Sequence, residues 1–359
     1  MEATQYDLIV VGAGPAGSAC AMSAARMGAK VLLLEKDRFP RQKVCGEFVS
    51  SESLALLHGL LDDNRFHSYP QMFTSRIFLD NTTVTLPVSP PAQSIPRFEL
   101  DAALFQAAQR AGVTAKENVT VSDVRRSEIF RVVTEENTFA AKAVINATGR
   151  WSKLTQFNVA GKEKWLGMKA HFAEPAPSQS VDLYFFPGGY CGVTPVGADS
   201  VNVCAMVRAD VAHTLEEVFA KEARLWQRSR PWEPLFPTVT TSPLYFREPV
   251  TESDGLLLAG DSAGFIDPFA GDGISLALQS GTLAAESISL FLRGACALQQ
   301  AQQQYQEAYR KRFSPAFRNA ARLRSALGAP RWVRGAALTL ARIPAVGKML
   351  VRATRAHPI

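Results

Sequence analysis

Three glycines, Gly12, Gly14 and Gly17, follow the apolar run Tyr6–Val11 and precede Ser18–Met27, a stretch rich in Ala and Met with no helix breaker. This order predicts strand, turn and helix; Gly28 then punctuates, and Lys30–Leu34 gives a second strand ending on Glu35. The chemistry such a unit performs is anion binding. Gly12 permits a tight turn, Gly14 lets backbone approach a pyrophosphate, Gly17 lets helix pack on strand, and unpaired N–H groups at the helix start attract phosphate. Glu35, 23 residues after Gly12, stands where a carboxylate accepts hydrogen bonds from a ribose 2′-OH. Its charge would repel a 2′-phosphate, which disfavours NADP at this site. A turn that binds nothing is the competing reading.

A second region carries complementary chemistry. The apolar strand starting at Gly255 runs into Gly260 and Asp261, and Asp267-Pro268-Phe269-Ala270-Gly271-Asp272-Gly273-Ile274 opens a long small-residue helix, Gly273–Leu292. A carboxylate at Asp261 suits a polyhydroxyl chain. A helix start at Gly271, Gly273 and Ile274 suits the pyrimidine edge of a flavin, where its dipole stabilises negative charge on the reduced ring. A solvent turn capped by Asp261 is the bland alternative.

Between these regions lie further elements. Ser50–Leu61 and Leu100–Ala111 read as helices, Ile77–Val88 as an alternating strand pair broken off by Pro87, Pro90, Pro91 and Pro96, and Val113–Val124, Ile129–Thr134 and Phe139–Ile145 as strands. Short strands and Gly/Pro turns fill Gly167–Val207, with a helix near Thr214–Arg228. The predicted architecture is α/β: a Rossmann-like dinucleotide-binding domain (1–65, 97–160 and 250–297) interleaved with a mainly antiparallel β substrate domain (66–96 and 161–249). A helical basic C-terminal segment (298–359) completes it.

With 359 residues, 47% apolar and 20% charged, the chain has the size and composition of a globular enzyme rather than a disordered or stapled module. Five scattered cysteines form no CxxC pair, the five histidines show no ligand spacing, and so neither a disulfide framework nor a metal site is expected. No hydrolase or phosphotransferase motif competes. Twelve of the 39 Lys and Arg residues lie between Ala308 and Ile359, where there is no Asp or Glu, so the remainder is net acidic. An acidic body argues against nucleic acid. The basic end suits an anionic membrane, a partner, or the chain's own acidic surface. No leader or membrane span is evident, and a cytoplasmic location, with peripheral membrane contact through the basic tail, is the expectation.

Together the glycine motif with Glu35, the segment Pro40-Arg41-x-Lys43-x-Cys45-Gly46-Glu47, Arg97, Ala147-Thr148-Gly149, Gly260-Asp261, and Asp267-Pro268 with Gly271-x-Gly273-Ile274 resemble the FAD-dependent oxidoreductase superfamily. That superfamily includes para-hydroxybenzoate-hydroxylase-like monooxygenases, geranylgeranyl reductases and flavin-dependent halogenases. The resemblance implies FAD as cofactor, Arg97 at its phosphate or ribityl region and Asp261 at the ribityl hydroxyls; surface ion pairing is the alternative for Arg97. It also implies reduction by NAD(P)H or by a separate flavin reductase as partner, since Thr148-Gly149 replaces the Asp-Gly pair usual in NAD(P)H-dependent hydroxylases.

Halogenases carry a WxWxIP segment and an early catalytic lysine; residues 48–115 contain no lysine, which speaks against halogenation. The Cys45-Gly46-Glu47 segment resembles that of geranylgeranyl reductases, which makes Cys45 a candidate proton donor or else a small packing residue. The run from Leu183 to Tyr190 partly resembles their aromatic substrate motif. Glu47, Tyr184, Phe186, Tyr190 and Pro268 are accordingly expected around a hydrophobic small-molecule substrate, the three aromatic residues as core or pocket wall rather than as proton-transfer groups. The favoured expectation is a monooxygenase that hydroxylates an aromatic or polyketide-like metabolite through a flavin hydroperoxide. Ene reduction of a prenyl or lipid chain and a non-catalytic flavin-binding role are the alternatives.

Overall fold

The computed structural model describes residues 5–150, 154, 163–343, 345–347 and 349. Among them the strands form two sheets. In the first, Gln5–Val11 lies between Val31–Leu34 and Thr138–Asn146, all parallel; Thr114–Lys116 extends one side and Leu256–Leu258 the other. The hairpin Val121–Arg126 and Phe130–Thr134 joins Thr138–Asn146 antiparallel. Apart from Gln5, Asp7, Thr138, Lys142 and Asn146, the central strands are apolar because both faces are covered. Leu8, Val10, Leu33 and Ile145 meet the helices Pro15–Arg26, Arg97–Arg110 and Gly273–Leu292, whereas Ile9, Val11, Leu32, Leu34 and Val144 pack under the hairpin.

The second sheet runs Val239–Leu244, Trp165–Ala173, Ser200–Arg208, Gly189–Gly197, Ser180–Phe186, Gln71–Leu79, Thr82–Ser94 and Phe48–Val49. Its pairs are antiparallel except Ser180–Phe186 with Gln71–Leu79. Two expectations need correcting here. Phe48–Val49 pairs with Thr82–Ser94, so this part of residues 1–65 belongs to the second sheet. The prolines do not end the strand: Thr82–Ser94 continues past them because the register shifts between Met72 and Thr74, which lets Pro90 and Pro91 bulge out of the ladder where no N–H is needed.

The C-terminal segment is also more than a basic tail. Its first helix, Leu298–Leu327, buries Ala301, Tyr305, Tyr309, Phe313, Ala316, Phe317 and Ala320, a stripe at three- and four-residue spacing, in the main core. The Tyr305 hydroxyl donates to the Leu258 carbonyl at 2.8 Å, tying this helix to the strand that leads to Asp261. Charge dominated the sequence reading of this region and hid the stripe. We expect Phe313→Ala, at a fully buried position, to cost about 3–5 kcal/mol in urea unfolding; a loss under 1 kcal/mol (~) would show that the helix is peripheral.

Candidate functional site

The glycine loop is set by steric contact. Gly12 has φ +98°, and a Cβ there would lie 2.5 Å from the Ala147 carbonyl oxygen; one on Gly17 would lie 1.8 Å from the Gly12 carbonyl oxygen. Gly14, in contrast, faces open space. The helix Pro15–Arg26 that starts here has proline in its first turn and no side-chain cap, so its N-terminal N–H groups are presented to that space. Glu35 is almost fully buried and accepts from Ala13 N at 2.8 Å and Asp37 N at 3.1 Å, with Arg41 Nη2 at 3.3 Å. Asp261 lies in the turn Gly260–Ser262, with Arg150 Nε 3.7 Å away. A Cβ on Gly260 would come 2.8 Å from Ala16 Cβ, so Gly14 and Asp261, 247 residues apart in sequence, meet around one helical turn. Open ground over an uncapped helix start, flanked by two carboxylates, fits the diphosphate and the two sugar portions of FAD.

Arg97 opens the helix Arg97–Arg110, and its guanidinium is held by fully buried Asp101 at 2.8 Å through both Nε and Nη2. Arg41 reaches the same carboxylate at 2.9 Å. Burial opposes the charge on Arg97, yet the Asp101 carboxylate prevails and raises its pKa. Arg97 is thus fixed in place by a buried pair rather than by surface pairing. Asp101 escaped the sequence reading, although its position four residues after Arg97 on one helix face was a usable signal.

Cys45, Gly46 and Glu47 are fastened to the second sheet. Asn202 Nδ2 donates to the Cys45 carbonyl at 3.1 Å and Thr194 Oγ1 to the Gly46 carbonyl at 3.0 Å. Glu47 has φ +56° and is wholly buried; its carboxylate accepts from Lys169 Nζ and from Arg97 N, and lies 2.7 Å from His171 Nε2. Lys169 Nζ also donates to Gln42 Oε1 at 3.0 Å. Burial pushes the Glu47 pKa up, but the His171 hydrogen bond and the Lys169 charge outweigh it and the net direction is down. Lys169 and His171 were missed; two polar residues spaced by two in the otherwise apolar strand Trp165–Ala173 were the only trace. Glu47 is therefore no pocket wall, since both of its oxygens are engaged inside the protein.

The apolar cavity, of about 260 Å³, lies between the second sheet, the turn Pro268–Ala270 and the C-terminal helices. Ile77, Leu79, Leu86, Val88, Leu183, Phe185 and Tyr190 come from the sheet, and Leu323, Leu327, Leu338 and Ala341 from the helices. Of the expected pocket residues, Tyr190 and Pro268 line it. Tyr184 and Phe186 do not: successive strand residues face opposite ways, and it is Leu183 and Phe185 that point inward. Tyr184 instead stacks on Phe78 at 4.3 Å and accepts from Arg228 Nη1 at 3.1 Å. Cys45 is half-buried and does not line the cavity; its sulfur accepts from Glu47 N at 3.3 Å.

Gly46, Gly271, Cys204 and Pro268 also line this cavity. Gly271 has φ +70°, and a Cβ there would lie 3.0 Å from the Phe48 ring. Gly273 begins the helix Gly273–Leu292 with nothing near its Cα, and Ile274 is buried behind it. Burial above all raises the Tyr190 pKa well above its usual value, so this phenol stays protonated. Cys204 is pushed up to about 12 by burial first and by Cys45 next. Asp267 is buried; its Oδ2 receives Arg324 Nη1 at 2.5 Å and its Oδ1 has no partner among the described residues. Burial pushes its pKa up to about 7, against the pull of Arg324.

A profile of the family described as an FAD binding domain matches residues 5–322, and the chain belongs to that family of flavoproteins. It is an FAD-dependent oxidoreductase with a Rossmann-like FAD-binding fold. Among curated relatives, a digeranylgeranylglycerophospholipid reductase of Methanosphaera stadtmanae is 28% identical, over 78% of this chain and 77% of its own. A 1H-pyrrole-2-carbonyl-[peptidyl-carrier protein] brominase of Pseudoalteromonas luteoviolacea is 23% identical, over 82% and 79%. Among solved structures, a geranylgeranyl bacteriochlorophyll reductase-like protein of Thermoplasma acidophilum shares the fold with a TM-score of 0.82 at 21% identity, over 98% of this chain and 96% of that one.

Gly17→Ala should purify nearly colourless, because its methyl would occupy the Gly12 carbonyl position; wild-type flavin absorbance per protein would contradict the packing argument. Asp267, whose folded pKa is raised from 3.8 to about 7, contributes stability that is full below its unfolded value and lost as pH rises through about 7. Denaturation midpoints of the wild type should therefore fall relative to Asp267→Asn between pH 4 and 7 (~), and a constant difference across that window would refute the assignment.

Proposed function

We propose that this flavoprotein reduces an isolated carbon–carbon double bond in a prenyl or other lipid chain held in the apolar cavity. The observation that carries the reading is the cavity itself, walled mainly by aliphatic and aromatic side chains, with Tyr190 on its wall and Ser75, Thr194, Cys204 and Arg334 as its few other polar neighbours. Bound FAD, once reduced, would supply the hydride. The complementary need is one proton for the second carbon, and the Tyr190 phenol on the cavity wall is the group assigned to deliver it. It takes the donor role that the sequence suggested for Cys45.

The cavity walls hold the chain by shape and exclude water, while Glu47, Lys169 and His171 keep the Cys45–Glu47 segment from shifting as substrate enters. The identity to a lipid reductase at 28% supports the same reading. Hydroxylation, favoured by sequence, needs no such donor. Bromination is supported by the brominase relative, but no lysine is found among the described residues that line the cavity.

Product mass separates the three. With chemically reduced flavin and an unsaturated chain under anaerobic conditions, the product should gain two hydrogens. An oxygen-dependent product heavier by one oxygen would establish hydroxylation instead, and a halide-dependent one halogenation. Tyr190→Phe should retain FAD and lose about 10²-fold in turnover; undiminished turnover would remove Tyr190 from the chemistry.

A further inference from the structure

The helix Arg331–Ala341 has apolar side chains on both of its faces. On the inner side, Leu338 and Ala341 pack on Val84 and Leu86 and wall the cavity. On the outer side, Trp332 is 78% exposed, Leu340 57%, and Ile343 just beyond the helix 49%. With the exposed Gly335, Ala336 and Thr339 between them, these positions recur every three or four residues and form one uncharged stripe. Met349 continues the exposed apolar surface. Large aromatic and aliphatic side chains grouped in water mark a contact surface.

The same C-terminal segment is rich in positive charge. Arg318, Arg322, Arg331 and Arg342 are exposed, and the chain from Ala308 onward carries twelve Lys and Arg with no acidic residue. Some arginines pair internally: Arg324 with Asp267, and Arg334 with Asp80 at 2.7 Å, while the largely exposed Arg331 lies 3.7 Å from the same Asp80.

We infer that this helix docks on the surface of an anionic lipid bilayer. Trp332, Leu340 and Ile343 enter the boundary between headgroups and acyl chains, and the exposed arginines meet lipid phosphates. An acidic protein would satisfy the arginines, but an uncharged stripe led by a tryptophan matches the bilayer interface on both counts. At 11 residues the helix lies along the membrane, and no helix among the described residues is long and apolar enough to cross one.

Docking has a consequence for the site that rests on the proposed lipid substrate. One face of the helix meets the phase in which an apolar chain dissolves, and the other face walls the cavity that receives it. Membrane binding itself does not depend on that substrate.

The test is sedimentation of the full-length, FAD-loaded protein with vesicles of phosphatidylcholine alone or mixed with phosphatidylglycerol. Binding to the mixed vesicles, weakened by salt, is expected, with about tenfold loss in the double variant Trp332→Ser and Leu340→Ser. Both positions are exposed, so the variant should keep its flavin content and melting temperature. No binding to anionic vesicles, equal binding by folded variant and wild type, or binding only to an acidic protein would each overturn the inference. Failure of the proposed reaction is read separately, as product mass with detergent-dispersed substrate and no membrane.

Discussion

Backbone packed directly on backbone at the first turn of helix Pro15–Arg26 is the constraint on which the site depends. Gly17 admits the Gly12 carbonyl, Gly281 admits the Ala16 carbonyl, where a Cβ would lie at 2.1 Å, and Gly260 leaves room for the Ala16 methyl. These contacts bring the strand Gln5–Val11, the helix Gly273–Leu292 and the turn bearing Asp261 to one point. A single methyl at these contacts would have to displace backbone, which cores resist. The helix start stays uncapped and open while everything behind it is closed, so a diphosphate finds rigid donors that need no reorganisation.

A second constraint is electrostatic. Glu47 adopts a left-handed backbone that costs a residue with a side chain of order 1–3 kcal/mol, and its charge is buried as well. Lys169, His171 and the Arg97 N–H offset both. Removing one partner of such a buried pair typically costs about 3–5 kcal/mol, because the other charge remains without water. The group contributes less to net stability than to position: it joins the Arg97 helix, the Cys45–Glu47 segment and the second sheet.

The C-terminal helices join cofactor ground and cavity in another way. Leu298–Leu327 reaches Leu258 through Tyr305 and Asp267 through Arg324, then contributes Leu323 and Leu327 to the cavity. The apolar cavity is therefore closed on this side only when the chain beyond Leu298 is folded against the body. The same stretch holds all of the net basic excess, and the inward arginines show that part of this charge serves internal pairing rather than an outside partner.

The nucleotide-binding unit was readable from residues alone, since glycine spacing, the apolar runs and the terminal Glu35 act over about thirty residues, where local geometry decides. The helix Gly273–Leu292 and the turn before it were legible for the same reason. Which residues line the cavity was legible only in part, at Tyr190 and Pro268. A shift of one position on Ser180–Phe186 exchanges Tyr184 and Phe186 for Leu183 and Phe185, and only the packing of helices on one face of that sheet sets the parity. The Glu47 cluster joins groups 122 and 124 residues apart, and the inward stripe of Leu298–Leu327 lay beneath its charge pattern. Short-range sterics and periodicity write themselves into sequence, whereas the choice of face and of distant partner comes from closing the chain on itself.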